Sequence, residues 1–368
     1  MPKTTLLTTT IRVPTFIEDV CRNVMAHKHA DVSWYIIGDR KTPPETGKHC
    51  DAVSEKFGIS VTYVDLEAQR KRLYDFPELL EMVPENTPVR RLLWHFVAYL
   101  EGCETLVSVD DDNFVTDIDF VGSHQIVGTS PEIPLVSTER GWWNIYETLR
   151  EERGIPVFPR GYPWGKRSYQ PEQKSVEKRA LSVIVNNGLV LEDPDQDAIS
   201  RLFWPIRITG MDPEFEPNFG LTPGTWSAFN NQNTAFSREI IPAFYTPVST
   251  GRNADIWTSF VICRLAEHVG GVISYGYPLV KQVRNPHNFW KDLEDEWINN
   301  QASDRFVELL RSIPLTEPTY LGALGELLMG CLERLNTIAD LPQAHRNMME
   351  SFFREYLIWQ KLFIGLKA

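Results

Sequence analysis

Three consecutive aspartates, Asp110, Asp111 and Asp112, follow the short apolar run 105–109. Adjacent like charges repel one another unless a cation or hydrogen-bond donors offset them. Carboxylate oxygens suit Mg²⁺ or Mn²⁺, and these ions commonly share their coordination with substrate phosphates. The pattern therefore favours a metal–diphosphate site at the end of a strand over its alternative, a solvated acidic turn.

Alternation along an extended chain separates the three carboxylates into two sets. Asp110 and Asp112 lie on one face, and Asp111 points the other way. We expect Asp110 and Asp112 to hold the metal, in a DXD arrangement, and Asp111 to face the nucleoside or the other side of the sheet. His287 follows the last strand of the sheet and is a candidate third ligand.

A basic segment with two glycines, 160–167, contains Arg160, Lys166 and Arg167. Glycines allow close backbone approach, and clustered cations bind phosphate or sugar oxygens. One interpretation is therefore a phosphate or sugar clamp. An exposed basic turn is the alternative.

Two further polar positions are candidates for sugar and acceptor contacts. Asn233 lies in the Asn-rich run 230–238, which either reads sugar hydroxyls or forms a loop with local hydrogen bonds. Asp255 stands at the start of a helix, where it either acts as a base or second carboxylate or stabilises the helix N-terminus.

Composition restricts the class of protein. The 368 residues are 42% hydrophobic and carry a net charge of −12, which argues against nonspecific nucleic-acid or anionic-membrane binding. No apolar stretch has the roughly 20 residues of a membrane span, and the N-terminus lacks the apolar core of a signal peptide. Five scattered cysteines indicate reduced thiols, so we expect a cytoplasmic location.

Strands and helices alternate over the first part of the chain, which predicts a mostly parallel, doubly wound α/β sheet. Ligands bind such sheets beyond the carboxyl ends of the strands. Arg12, Asp39 and the three aspartates all fall at such ends, so we expect them at one site. The predicted elements are strands at 5–11, 32–37, 59–64, 105–109 and 272–277, and helices at 16–25, 89–100 and 255–269.

The rest of the chain divides into two regions. Residues 120–250 are rich in Pro, Gly and aromatic residues, which predicts long loops and short strands that cover the sheet. From about Asp304 the apolar spacing predicts helices at 306–313, 320–335 and 345–366. We therefore predict a catalytic domain at 1–300 and a helical C-terminal extension at 301–368.

Several of these motifs, taken in order, resemble the reversibly glycosylated polypeptide family, which includes the UDP-arabinopyranose mutases of plants. The resemblance runs from roughly residue 6 to residue 297. Each motif alone is weak, but their common order is specific for the superfamily. The matching segments are Thr10-Ile11-Arg12, Val109 to Val115, Arg160 to Trp164 with Arg167, Gly188 to Leu191 with Pro194 to Ala198, Asn233 to Ile241, Arg252 to Trp257, and Arg284 to Pro286.

The resemblance implies a GT-A-like fold, a nucleoside-diphosphate sugar and Mn²⁺ or Mg²⁺ at the aspartates. It also implies that Arg160 occupies the position at which the family becomes glycosylated, although guanidinium is a poor nucleophile that could instead stabilise the departing diphosphate. Two positions depart from the family pattern. Val280 stands where the family has a histidine, and Ala254 stands where it has an aspartate.

Three functional hypotheses follow. The first is a metal-dependent glycosyltransferase that moves a sugar from a nucleoside diphosphate, with UDP as the expected nucleotide, to an unknown acceptor. The second is a mutase that interconverts pyranose and furanose forms of a nucleotide sugar. The third is a non-catalytic binding or assembly subunit, in which the helical tail supports a homo-oligomer.

The first hypothesis assigns a role to each candidate residue. The metal ligands are Asp110 and Asp112, with His287 as a further candidate. The nucleotide side consists of Thr10, Arg12, Asp39, Asp111 and Asn233. Arg160 and Arg167 bind phosphate, and Asp255 binds or activates the acceptor.

Overall fold

The computed structural model describes residues 3–168, 170–284 and 288–366. The candidate ligand His287 lies outside the described residues. One 13-stranded sheet runs through this part of the chain. Its strands are β1 (Thr4–Thr9), β2 (Val32–Ile37), β3 (Ser60–Val64), β4 (Thr105–Val109), β5 (Asn113–Val115), β6 (Glu132–Ser137), β7 (Leu149–Glu151), β8 (Ser175–Ala180), β9 (Val183–Glu192), β10 (Ile208–Met211), β11 (Asn218–Leu221), β12 (Asn233–Ser237) and β13 (Val272–Gln282).

Helices cover the sheet and form the C-terminal region. In chain order they are α1 (Ile17–Ala26), α2 (Thr46–Phe57), α3 (Leu66–Arg72), α4 (Pro77–Met82), α5 (Arg91–Leu100), α6 (Phe120–His124), α7 (Ala198–Phe203), α8 (Ala254–Val269), α9 (Phe289–Ser312), α10 (Tyr320–Leu335) and α11 (Gln343–Phe363). The helical region therefore begins well before its predicted start near residue 304.

The first half of the sheet is parallel and has the order β3-β2-β1-β4. Parallel strands end at the same edge of a sheet. The loops that follow Thr9, Ile37 and Val109 consequently meet there, and these loops carry Arg12, Asp39 and the three aspartates. The predicted α/β class, with a mostly parallel sheet and a helical C-terminal region, is confirmed.

The second half of the sheet contains both strand directions. Strand β12 lies antiparallel between β4 and β9, and β13 runs parallel to β9. The region 120–250 thus supplies central strands of the sheet. The prediction of loops and short strands that cover the sheet is wrong for β9 and β12, because both pair with neighbouring strands inside it. Strand β9 is buried over most of its length although it contains polar residues.

A buried polar network explains those polar residues. The ring of His124 lies 3.0 Å from Asn233 Oδ1 and 3.2 Å from Asn186 Nδ2. Asn218 donates to Asn186 Oδ1 at 3.1 Å, and Asn233 donates to the carbonyl oxygen of Pro278 at 3.0 Å. Buried amides persist where hydrogen bonds satisfy them. Asn233 is therefore the first residue of a central strand, β12, whereas residues 230–232 form the loop before it, with hydrogen bonds between Asn230 and Gln232.

The C-terminal helices share the main hydrophobic core with the sheet. Trp257 of α8 stacks on Phe306 of α9 with ring centroids 4.1 Å apart. Phe363 of α11 contacts Phe96 of α5 at 5.3 Å. The predicted domain boundary at 300/301 falls within α9. No helix in the described part of the chain is both long enough and apolar enough to cross a bilayer.

Candidate functional site

Two cavities open at the carboxyl edge of the parallel strands. The strand-end cavity, of about 430 Å³, is lined by Thr10, Arg12, Asp39 and Asp111, among others. The inner cavity, of about 370 Å³, lies beneath the loop that precedes α8. Both cavities are lined by Pro88, Arg91, Asp110 and Asp112. These four residues form what we call the shared wall.

Arg91 supplies a fixed positive charge on the shared wall. It is buried at the start of α5 and forms an ion pair with Asp110. Its guanidinium also donates hydrogen bonds to Ser108 Oγ at 2.6 Å and to the carbonyl oxygen of Asn231 at 3.0 Å. Because a buried charge is tolerated only when paired and hydrogen-bonded, these contacts hold the guanidinium in place.

Asp112 carries the least balanced charge of the three aspartates. The side-chain amide of Gln282 donates to its Oδ2 at 3.2 Å. Burial and the adjacent charge of Asp110 nevertheless raise the pKa of Asp112 to about 6. Arg284 lies beside Asp112 and Gln282. It donates to Gln282 Oε1 at 2.9 Å and to Asp193 Oδ2 at 2.7 Å. The shared wall therefore retains a site that attracts cations.

Asp111 lines the strand-end cavity. The Thr10 hydroxyl donates a hydrogen bond to Asp111 Oδ2 at 2.7 Å, and Arg12 Nε lies 3.8 Å from the same oxygen. Burial raises the pKa of Asp111, and the Thr10 hydrogen bond opposes this increase. The structure thus brings together Thr10, Arg12 and Asp111, three of the residues predicted to contact a nucleotide, on one cavity.

Asp39 stabilises the outer wall of the strand-end cavity. It follows β2, and its Oδ2 accepts hydrogen bonds from the backbone N–H groups of Asn86 at 2.7 Å and Thr87 at 3.3 Å. Both of these residues also line the cavity. Asp39 therefore holds the segment before α5 against the strand ends, which determines the shape of this cavity.

Arg160 is buried on the wall of the inner cavity. Its Nε lies 3.0 Å and 2.9 Å from the two carboxylate oxygens of Asp195. Its Nη2 lies 3.1 Å from Asp255 Oδ2 and 2.8 Å from Asp195 Oδ2. Its Nη1 donates to Asn253 Oδ1 at 3.1 Å and to the carbonyl oxygen of Arg252. Every guanidinium nitrogen of Arg160 thus contacts an acceptor of the protein.

The two carboxylates around Arg160 have opposite pKa shifts. Burial raises the pKa of Asp195, but the charge and hydrogen bonds of Arg160 outweigh this effect and lower it to about 2. Burial raises the pKa of Asp255, and Arg160 offsets only part of this increase. Asp195 is consequently the permanent counter-ion, and Asp255 is the carboxylate better suited to accept a proton.

Gly161 explains how Arg160 reaches the start of α8. Its φ is +81°, in the region that favours glycine. A Cβ at this position would lie 2.1 Å from Ile256 Cγ2. A side chain there would force the loop away from α8 and would separate Arg160 from Asp255.

Helix α9 supports the same wall from outside. Glu296 is buried, and its Oε1 accepts a hydrogen bond from Arg252 Nε at 3.2 Å. Its Oε2 accepts from the backbone N–H of Ala198, the first residue of α7, at 2.9 Å. Asp292 lies 3.1 Å from Arg252 Nη1. The C-terminal helices therefore fix the loop whose carbonyl group receives Arg160.

Among the predicted site residues that the structure describes, two line neither cavity. Arg167 forms an ion pair with Asp197 at 2.6 Å and stacks on Trp164 at 3.6 Å. Asn233 is bound within the buried network of the sheet. Val280, which replaces the histidine of the resembled family, is fully buried in the core. The structure therefore separates these positions from the site formed by Arg160 and Asp255.

Sequence reasoning missed several side chains that line the inner cavity. These are Arg91, Asp195, Gln282 and Arg284. Asp195 lies in the segment 194–198, which resembles a motif of the family, so this motif could have marked it as a site residue. Arg91 gave none, because an arginine at a helix start is indistinguishable in sequence from an exposed one.

The fold and the site define an α/β protein in which two cavities share lining residues at an acidic strand end. No protein-family model matches the chain. It is 25% identical over 219 residues to UDP-arabinopyranose mutase 1 of Arabidopsis thaliana, which covers 58% of this chain and 57% of that protein. It is 27% identical over 188 residues to probable UDP-arabinopyranose mutase 1 of Pisum sativum, with coverages of 48% and 46%. The chain thus spans about half the length of the curated relatives it matches.

Solved structures give distant matches. A mannosyltransferase from Pyrobaculum calidifontis, in complex with GDP-Man and Mn²⁺, has a TM-score of 0.40 at 10% identity and covers 99% of this chain and 88% of that one. Glucosyl-3-phosphoglycerate synthase from Mycobacterium tuberculosis, with Mn²⁺ and UDP-glucose, has a TM-score of 0.40 at 12% identity and coverages of 82% and 78%. At these values the likeness is remote in both sequence and backbone.

Proposed function

We propose that this chain is a metal-dependent glycosyltransferase that uses a nucleoside-diphosphate sugar, with a UDP-sugar as the donor. The observation that carries the proposal is the shared wall. A nucleoside-diphosphate sugar has a nucleoside and a sugar joined by a diphosphate. Two cavities that join at a wall of two carboxylates and one arginine fit this three-part ligand.

The parts of the donor are assigned by chemistry. The nucleoside occupies the strand-end cavity, beside Thr10, Arg12 and Asp111. The diphosphate crosses the shared wall, where Arg91 offers a guanidinium that suits phosphate geometry. The sugar occupies the inner cavity, which is lined mainly by polar side chains and by no aromatic ring among the described residues.

The donor set at the shared wall fits Mg²⁺ or Mn²⁺. Among residues 3–168, 170–284 and 288–366, no group of three or more His, Cys, Asp or Glu side chains is arranged to hold a metal. Two carboxylates are sufficient, because Mg²⁺ is usually bound through one or two carboxylates together with substrate phosphates. Asp110 and Asp112 would hold the ion, which when bound would neutralise charge on the diphosphate.

Asp255 is the proposed base for the acceptor. It lines the inner cavity, and burial raises its pKa. A carboxylate of raised pKa accepts a proton from a hydroxyl more readily as that hydroxyl attacks. The Asp255 carboxylate therefore activates an acceptor that enters the inner cavity after the donor.

A mutase that interconverts ring forms of a nucleotide sugar is the second candidate. The observation that favours it is the similarity to UDP-arabinopyranose mutases, at 25% and 27% identity. In that reaction the sugar returns to the diphosphate in another ring form. No separate acceptor takes part.

One experiment separates the two candidates. The protein is incubated with Mn²⁺ and each of a set of UDP-sugars, with and without a mixture of hydroxylated acceptors, and the nucleotides are resolved by chromatography. Free UDP that forms only with acceptor supports the transferase. A ring isomer of the donor, formed without acceptor, supports the mutase. Unchanged donor under all conditions contradicts both.

A further inference from the structure

We propose that Arg160 is a positioning residue that orients Asp255 toward the inner cavity, and that it neither binds the donor phosphate nor receives the sugar. This inference rests on the proposed function of the inner cavity. It concerns the position at which the resembled family is glycosylated, and it assigns that position a different role in this chain.

The hydrogen-bond donors of Arg160 are already used within the protein. A guanidinium has five N–H donors and no acceptor. The three nitrogens of Arg160 contact Asp195, Asp255, Asn253 Oδ1 and the carbonyl oxygen of Arg252. A phosphate could gain a hydrogen bond from Arg160 only by displacing one of these buried acceptors, which would then lose its partner.

The positive charge of Arg160 also argues against glycosylation of its guanidinium. Attack by a guanidinium nitrogen on a sugar requires a neutral nitrogen with an available lone pair. Although burial opposes the charged form, Asp195 and Asp255 outweigh this effect and raise the pKa of Arg160 well above its usual value. Removing the proton would leave two buried carboxylates without their counter-ion. The surroundings of Arg160 thus preserve its charge and suppress its nucleophilicity.

Contacts on both oxygens hold the Asp255 carboxylate in one orientation. Arg160 Nη2 holds Oδ2 of this carboxylate at 3.1 Å, and the backbone N–H of Ile256 donates to Oδ1 at 3.0 Å. These two contacts fix the carboxylate plane. Asp195 holds Arg160 in turn, and Asn230 Nδ2 lies 3.2 Å from Asp195 Oδ2. Asp255 is therefore aimed by a chain of buried contacts.

The resulting step is balanced. The acceptor oxygen forms a bond to the anomeric carbon as its proton passes to the Asp255 carboxylate. The bond from the anomeric carbon to the β-phosphate oxygen breaks, and its electron pair leaves on the nucleoside diphosphate. Arg160 keeps all its protons throughout. It stabilises the ionised form of Asp255 before the transfer.

The first test uses the wild-type protein. After free UDP formation from a radiolabelled UDP-sugar with Mn²⁺ and a hydroxylated acceptor has been demonstrated, the reaction is quenched in denaturant and the protein is analysed by gel and by peptide mass. We expect no label on the chain and an unmodified peptide that contains Arg160. A sugar on Arg160 overturns the inference while leaving the use of a nucleotide sugar intact. Failure to form UDP from any donor overturns the proposed function itself.

The second test compares Arg160→Lys and Arg160→Met with Arg179→Met, an exposed arginine on β8. We expect kcat to fall about 100-fold in Arg160→Met with partial rescue in Arg160→Lys, and donor KM to change less than about threefold. The charged groups facing Asp255 are Arg160 and Asp195, so loss of Arg160 should move the acid limb of the kcat profile to higher pH. A loss expressed mainly in donor KM, with an unshifted profile, would show that Arg160 binds the donor. If these variants fold poorly, the first test can still refute the inference, because it uses only the wild-type protein.

Discussion

Arg91 pairs with Asp110 on the wall that the two cavities share. The pair joins a guanidinium that suits phosphate to a carboxylate that suits a metal ion. Entry of a diphosphate with its cation would give each group a new partner, so the pair keeps both charges balanced while the site is empty of donor. The free energy of diphosphate binding at this wall is therefore the difference between the contacts made with the diphosphate and its cation and the Arg91–Asp110 ion pair that they replace.

Replacement of Arg91 by lysine tests this role. Lysine keeps the charge but loses the planar, two-pronged donor, and it cannot contact Ser108, Asn231 and a phosphate together. We expect the Kd for UDP, measured calorimetrically with Mn²⁺, to rise roughly 10- to 100-fold. Arg22→Lys changes an exposed arginine of α1 and should bind UDP as the wild type does. An unchanged Kd in Arg91→Lys would remove Arg91 from the diphosphate site.

Asp255→Asn tests the proposed base. The amide keeps the size of the carboxylate but cannot accept the proton of the acceptor. We expect kcat for transfer to fall by roughly 10²–10⁴, with little change in the affinity for UDP because Asp255 does not line the strand-end cavity. The measurement is steady-state UDP release at saturating donor. Activity within a factor of about three of the wild type would exclude Asp255 as the base.

Two buried histidines predict how stability depends on pH. Burial lowers the pKa of His95 to about 3 and that of His124 to about 4, from the ordinary value of 6.5. Below pH 6.5 the unfolded chain therefore binds more protons than the folded chain. The free energy of unfolding should fall as pH falls toward 4, by up to about 1.4 kcal/mol per pH unit for each histidine.

His95→Phe provides the test of that dependence. His95 stacks on Phe244 at 5.5 Å, and its ring nitrogens have no hydrogen-bond partner among the described residues. Phenylalanine fits this setting and does not titrate. Urea unfolding between pH 7 and pH 5 should show a shallower loss of stability in His95→Phe than in the wild type. Equal slopes in the two proteins would refute the prediction.

Phe306→Ala tests whether the helices after residue 300 fold together with the sheet. Phe306 is fully buried and stacks on Trp257. Truncation of such a side chain costs about 3–5 kcal/mol. We expect one cooperative urea transition in both proteins, displaced to lower urea in the variant, whereas Met329→Ala at a half-exposed position should shift little. Two separate transitions, with only one displaced, would instead indicate an independent C-terminal domain.

The sequence predicted the elements whose patterns follow ordinary rules. The bounds of β2, β4 and α10 coincide with the predicted segments, because their apolar residues repeat at the spacing of strands and helices. The predicted helix at 306–313 covers only the end of α9, and the preceding part of α9 escaped prediction because buried acidic and exposed aromatic side chains reverse the usual pattern there. Trp290 and Trp297 are exposed there, while Asp292 and Glu296 are buried against Arg252.

The site was predictable where a motif reports a strand end, as with Asp110 and Asp112. It was not predictable where distant segments converge. Arg91 and Asp195 are more than 100 positions apart, and only the sheet order brings them to one cavity. Nor does sequence distinguish Arg160, which is enclosed by acceptors, from Arg167, which lies outside both cavities.

Thermal unfolding with UDP and Mn²⁺ tests the central claim most directly. A ligand that binds the folded chain at 100 times its Kd stabilises it by about 2.7 kcal/mol. We predict that UDP with Mn²⁺ raises the Tm of the wild type and of Asp117→Asn, an exposed aspartate just beyond β5, and that EDTA removes most of the increase. UDP with Mn²⁺ should raise the Tm of Asp112→Asn only slightly, whether or not EDTA is present. No increase with any nucleoside diphosphate, or an equal one in Asp112→Asn, would contradict a metal–diphosphate site at the shared wall.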